Sequence, residues 1–230
     1  MPRCIEAMTA QGLQAARATT AGPDPIGTAR PHAPAPAAPG LVGPNAITRM
    51  DEALAALRGP ILRDRVFAAA GLSHLVRTPP TAMVDEGDVA GLHRALRAVL
   101  GPAEGQRISA EAGQLTGDYL LAHRIPRPAR ALLRALPRPL AARLLVRAIA
   151  RHAWTFAGSG SFSFRFAPSL ELTIAGSPVC RLVDDGEMAC AYSAATFERV
   201  FGAILGPRVQ VTETACAAAG DPDCRFLVTW

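Results

Sequence analysis

The chain has 230 residues, 50% hydrophobic and 19% charged, which excludes a disordered polymer and suits one core with an appendage. Its net charge of +5 rests on 24 arginines and no lysine, so Schiff-base and P-loop lysine chemistry are ruled out. No run approaches twenty uncharged apolar residues, and the Met1-Pro2-Arg3-Cys4 start carries no apolar leader, so the sequence predicts a cytoplasmic protein with no membrane-spanning helix.

Residues 1–45 read as a disordered tail, because Pro23, Pro25, Pro31, Pro34, Pro36, Pro39 and Pro44 punctuate small residues; residues 5–18 are periodic enough for a transient helix. A domain follows over 46–230. Met50, Leu54 and Leu57 recur at helical spacing, and Pro60 opens a second helix that Gly71 stops. Asp88 is the expected N-cap of a helix ended by Gly101-Pro102. The next helix carries Ile108, Ala112, Leu115, Tyr119 and Ala122 on one face, with Gly113 and Gly117 offering either close helix packing or room for a flat ligand.

Residues 124–151 hold Arg124, Arg127, Arg130, Arg134, Arg138, Arg143, Arg147 and Arg151, and no acid lies between Asp118 and Glu171. Pro137 and Pro139 split this stretch into two short amphipathic helices. It is either a solvated face or a docking surface for an acidic partner, an anionic ligand or a membrane surface; nucleic acid is disfavoured for want of a reader motif.

Beyond Trp154 the period becomes two. Phe162, Phe164 and Phe166, then Leu170, Leu172 and Ile174, predict an antiparallel hairpin turned at Pro168-Ser169. Further strands are expected around 179–183 and 188–192, then a helix through Phe197–Leu205 and a final hairpin turned at 220–223. Helices first and strands afterwards define an α+β fold, with N-terminal helices packed on an antiparallel sheet that has one helix inserted.

Cysteine chemistry concentrates near the C-terminus. Glu213 and Cys216 end a strand, Cys224 lies beyond the turn, and Cys190 precedes the inserted helix. Three thiolates and a carboxylate make a tetrahedral set for Zn²⁺, although cysteine also serves as a small buried hydrophobe. The run from Glu213 through Cys216 and Gly220 to Cys224 and Phe226 resembles the closing motif of the 4-vinyl reductase domain family. The resemblance spans about 46–230, and its opening and stand-alone length are most similar to the family's bacteriochlorophyll-biosynthesis branch. It implies a structural zinc held by Cys190, Glu213, Cys216 and Cys224, closed to substrate. Cys180 falls outside that motif and reads as buried or incidental; Cys4 lies in the tail.

The family name implies reduction of a vinyl group, which needs a redox cofactor. Gly158-Ser159-Gly160 lacks the third dinucleotide glycine and precedes a strand pattern, so it reads as a turn, and no flavin, Walker or iron–sulfur motif stands out. The first expectation is therefore a bacteriochlorophyll-biosynthesis accessory protein that binds a (Mg-)porphyrin or chlorophyllide and delivers it between enzymes. Its expected ligand residues are Gly113, Gly117, His123, His152, Trp154, Phe162, Phe164 and Phe166, with the histidines as axial candidates for magnesium; His74 and His93 are weaker ones. The resemblance implies the porphyrin-binding subunit of magnesium chelatase or the Mg-protoporphyrin methyltransferase as partners, and a homodimer. The alternatives are an 8-vinyl (4-vinyl) reductase and a small aromatic-ligand sensor.

Overall fold

The computed structural model describes residues 40–230 except Ala167. The proline-rich stretch and the helix expected at 5–18 lie outside the described residues, but Leu41–Val42, assigned to the tail by sequence, forms a short strand β1 that pairs with β2 (Val84–Asp85). The fold is α+β. Helix α1 (Asn45–Ala69) is interrupted at Gly59, whose φ of 80° lets Pro60 restart the helix without losing an internal donor. A short helix α2 (Ser73–Arg77) follows, unsignalled in the sequence. Helix α3 (Glu86–Leu100) begins earlier than anticipated: Asp85, not Asp88, is its N-cap and accepts from the Gly87 N–H at 2.6 Å. Helix α4 (Pro102–His123) then starts with Pro at its first position.

Helices α5 (Arg127–Ala135) and α6 (Arg138–Arg151) are the two arginine-rich segments, each also opening with proline in the first turn. A single turn, α7 (Trp154–Ala157), leads into the sheet. Strands β3 (Ser161–Phe166) and β4 (Leu170–Ala175) form the expected hairpin, with Phe164 opposite Leu172. The inserted helix α8 (Ala191–Leu205) separates them from β5 (Gln210–Ala215) and β6 (Cys224–Thr229). Sheet order is β3-β4-β6-β5, antiparallel throughout.

The two strands expected at 179–183 and 188–192 do not form. Residues 178–190 are an irregular loop, and Cys190 is the N-cap of α8 instead of a strand end. Asp184-Asp185-Gly186 breaks the alternation there, and Asp185 is drawn into an ion pair with Arg97.

Alternation in β4 and β6 places Leu170, Leu172, Ile174, Phe226 and Val228 on the buried face, where α8 covers them with Phe197, Val200 and Phe201. Phe197 meets Phe226 edge-on at 5.6 Å. On its other side α8 lies against α4 with almost no side chain between. A Cβ on Gly113 would collide with the Tyr192 carbonyl oxygen, and one on Gly117 would come within 2.6 Å of the Arg199 Cβ. The Gly113/Gly117 pair thus seats α8, which fills the space where a flat ligand was the other option.

Candidate metal centre

Four side chains converge where the 178–190 loop, the start of α8 and the β5–β6 turn meet. Cys180, Cys190, Cys216 and Cys224 are all buried, and their sulfurs lie within 4.8 Å of one another. Individual separations are 3.3 Å for Cys180–Cys224, 3.4 Å for Cys190–Cys224 and 3.9 Å for Cys190–Cys216. A disulfide requires about 2.05 Å. A tetrahedron with metal–sulfur bonds of about 2.3 Å has edges of about 3.8 Å, so this spacing fits a four-thiolate ion site.

Local sequence explains the convergence. Gly220 adopts φ 97°, and the Asp221 carboxylate accepts from the Cys216 N–H at 2.9 Å, which folds the β5–β6 connection and returns Cys224 beside Cys216. Two ion pairs pin the loop bearing Cys180 and Cys190 to α3. Arg97 grips Asp185 through Nε (2.6 Å) and Nη2 (2.8 Å) and also donates to the Met188 carbonyl. Arg181, next to Cys180, pairs with buried Glu86, which also accepts from the Ser159 N–H (2.8 Å) and hydroxyl (2.6 Å). A Cβ on Gly158, at φ 59°, would strike the Glu86 carboxylate, so the Gly158-Ser159-Gly160 run is a turn shaped to receive Glu86.

Glu213, named by sequence as a ligand, lies outside the sulfur cluster. Its oxygens accept from the Cys190 N–H at 3.1 and 3.3 Å, and Cys180 stands in the fourth position. Burial, reinforced by the neighbouring Cys216, pushes the Glu213 carboxyl up to about 9. Hydrogen bonds from Cys180 and Cys190 draw Cys216 down to about 6, while its thiol neighbours and burial push Cys190 well above the ordinary range. Four thiolates cannot share this volume without a cation to offset their repulsion. The Ala189 N–H also approaches the Cys216 sulfur at 3.4 Å, a donor aimed at negative sulfur.

The expected ligand residues do not gather at one place. His123 is exposed, stacked on Tyr119 with ring centroids 4.6 Å apart. His152 is exposed at the end of α6, and Trp154 is exposed in α7. Phe162 packs on Phe156 and Phe197, whereas Phe164 and Phe166 touch each other and Arg143 lies over Phe166. An open groove of ≈ 500 Å³ between α4, α5 and α8 went unanticipated; Asp118, Leu121, Ala122, Arg127, Arg130 and Arg134 contribute to its lining. The buried Nε of Arg130 has no hydrogen-bond partner among the described residues. Another buried oddity is His93, whose Nε2 is likewise unpartnered and whose burial lowers it to about 4.

The thiol-bearing hairpin and the strand beside it coincide with a 4-vinyl reductase domain, matched over residues 170–229. The chain is 46% identical over 191 residues to the bacteriochlorophyll synthase 23 kDa chain of Cereibacter sphaeroides, covering 83% of this chain and 91% of the relative. It is 40% identical over 188 residues to the protein of the same name from Rhodobacter capsulatus, covering 81% and 86%. The chain belongs to this bacteriochlorophyll synthase 23 kDa family, and its role lies in bacteriochlorophyll biosynthesis. In fold it is similar to an H-NOX protein from K. algicida, crystallised as a point mutant in the Fe(II) unliganded state, with a TM-score of 0.54 at 11% identity over 81% of this chain and 95% of the other.

Proposed function

We propose that this protein is an accessory factor that binds a (Mg-)porphyrin or chlorophyllide intermediate and delivers it between biosynthetic enzymes, with Zn²⁺ in the four-cysteine centre. The observation that carries the reading is the extended identity to two bacteriochlorophyll synthase chains. Four thiolates fill a tetrahedral zinc shell, so the ion has a structural role: it ties the loop, α8 and the β5–β6 hairpin into one unit.

The α4–α5–α8 groove supplies recognition of the ligand's anionic edge. Arg127 and Arg130 are free of acidic partners among the described residues, whereas Arg199 at the same groove is held by Asp118 at 2.7 Å. Guanidinium forks suit propionate carboxylates, and Leu121, Ala122 and Ala203 give the macrocycle an apolar floor. His123 follows Ala122 directly and is the residue we assign to magnesium. The receiving enzymes are the porphyrin-binding chelatase subunit or the methyltransferase that acts next.

Titration with Mg-protoporphyrin, followed by absorption, tests this. A shifted Soret band that saturates at one pigment per chain and weakens in Arg127→Gln and Arg130→Gln supports the carrier. Reduction of a vinyl group by the isolated protein with NADPH would replace it with the reductase reading.

A further inference from the structure

The arginines of α5 and α6 stand without counter-charges. Every arginine in an ion pair lies outside residues 124–151, and none of the eight within that stretch has an acidic partner among the described residues. Helix α6 turns Ala141, Ala142, Leu145 and Val146 inward. Its opposite face presents Leu140 (43% exposed) and Leu144 (41%) among Arg143, Arg147 and Arg151. Helix α5 repeats the pattern, with Leu132 65% exposed between Arg127 and Arg134. Both helices pack on α8, so these outer faces are the ones turned away from the core.

Unpaired cations interleaved with exposed leucines are the makeup of a helix that lies in a lipid interface. The competing occupants fit less well. A second copy would set arginine against arginine. Residues 1–39 carry Arg3, Arg17 and Arg30 against Glu6 and Asp24, and so bring no net negative charge to this face. Anionic headgroups supply the missing charge, and the acyl boundary accepts the leucines. We propose that the outer face of α5 and α6 docks on the surface of an anionic membrane, peripherally, since no helix among the described residues is long and apolar enough to span one.

Flotation of the full-length, metal-loaded protein with vesicles tests the proposal. Binding is expected to phosphatidylcholine vesicles containing phosphatidylglycerol, not to phosphatidylcholine alone, and to fall with added salt. Arg143→Gln, Arg147→Gln and Arg151→Gln each lower the partition coefficient about fivefold. Leu140→Ser and Leu144→Ser each lower it about tenfold through lost apolar burial. These side chains are solvent-facing, so circular dichroism of the variants stays that of the parent, and Ile61→Ser, exposed elsewhere, binds as the parent does. No binding to either vesicle overturns the proposal and leaves an acidic protein partner as the occupant. Binding that is insensitive to the leucine substitutions also overturns it, reducing the contact to surface adsorption. Neither result bears on the pigment titration, which is done without lipid.

Discussion

Replacing Cys180 separates the four-sulfur centre from the ligand set implied by the family motif. Structural zinc in four-ligand sites contributes about 10–16 kcal/mol to folding, so one thiolate is worth roughly 3–4 kcal/mol. In a domain of this size, about 2–4 °C of melting temperature accompanies each kcal/mol. Cys180→Ala should therefore lose most of its bound metal and melt about 10 °C below the parent. Glu213→Gln should behave otherwise. Its amide oxygen can still accept from the Cys190 N–H, now 3.1 Å from the carboxylate, so metal content stays at one ion per chain and the cost is about 1 kcal/mol. Elemental analysis of purified variants alongside thermal melts reads both quantities. A Cys180→Ala protein with full metal and an unchanged melt, beside a Glu213→Gln protein stripped of metal, would refute the reasoning.

Three further outcomes follow from buried groups elsewhere. His93 has a folded-state pKa of about 4 against 6.5 when exposed, so the unfolded chain binds the extra proton first; stability should drop by about 3 kcal/mol as pH falls from 6.5 to 4, and denaturant titrations of His93→Gln should show a flatter acid limb. Burial alone would raise the Glu86 carboxyl, but hydrogen bonds from Arg181 and Ser159 hold it below its ordinary value. Its stabilisation is thus complete above the ordinary carboxylate range and lost as pH falls through the depressed value. Glu86→Gln should cost about 1.5–3 kcal/mol at neutral pH, with the difference from the parent shrinking in acid when followed by denaturant titration. Gly113→Ala drives a methyl into the Tyr192 carbonyl and to 2.9 Å from the Ala195 Cβ, so α8 must move off α4; melts should show a loss of about 1–3 kcal/mol, and an unchanged melt would contradict the packing described.

Much of the fold is legible in the sequence because periodicity and punctuation agree. Pro126 to Arg127, Pro137 to Arg138 and Gly206 mark helix ends that the structure keeps, and alternation in β3, β4 and β6 specifies the hairpins. The loop at 178–190 defeats the same pattern: Val179–Val183 and Met188–Tyr192 contain apolar residues that alternate by chance, while their real constraint is tertiary, in ion pairs to Arg97 and Glu86 on a distant helix. That loop also conceals Cys180. Cys180 and Cys190 form a pair ahead of α8 as Cys216 and Cys224 form one after it, and four C-terminal cysteines in two pairs is the available signal. Glu213 enters the expected set by its spacing from Cys216, which is a linear property; the strand places its carboxylate on a backbone donor instead. The arginine groove leaves no motif, since its lining comes from α4, α5 and α8, far apart in sequence.

The most direct measurement is the absorption spectrum and metal content of the protein purified from a pigment-making host. The account predicts a tetrapyrrole band accompanied by one zinc ion per chain. A well-folded preparation with neither, whose spectrum stays the simple sum of its parts when Mg-protoporphyrin is added, would contradict it.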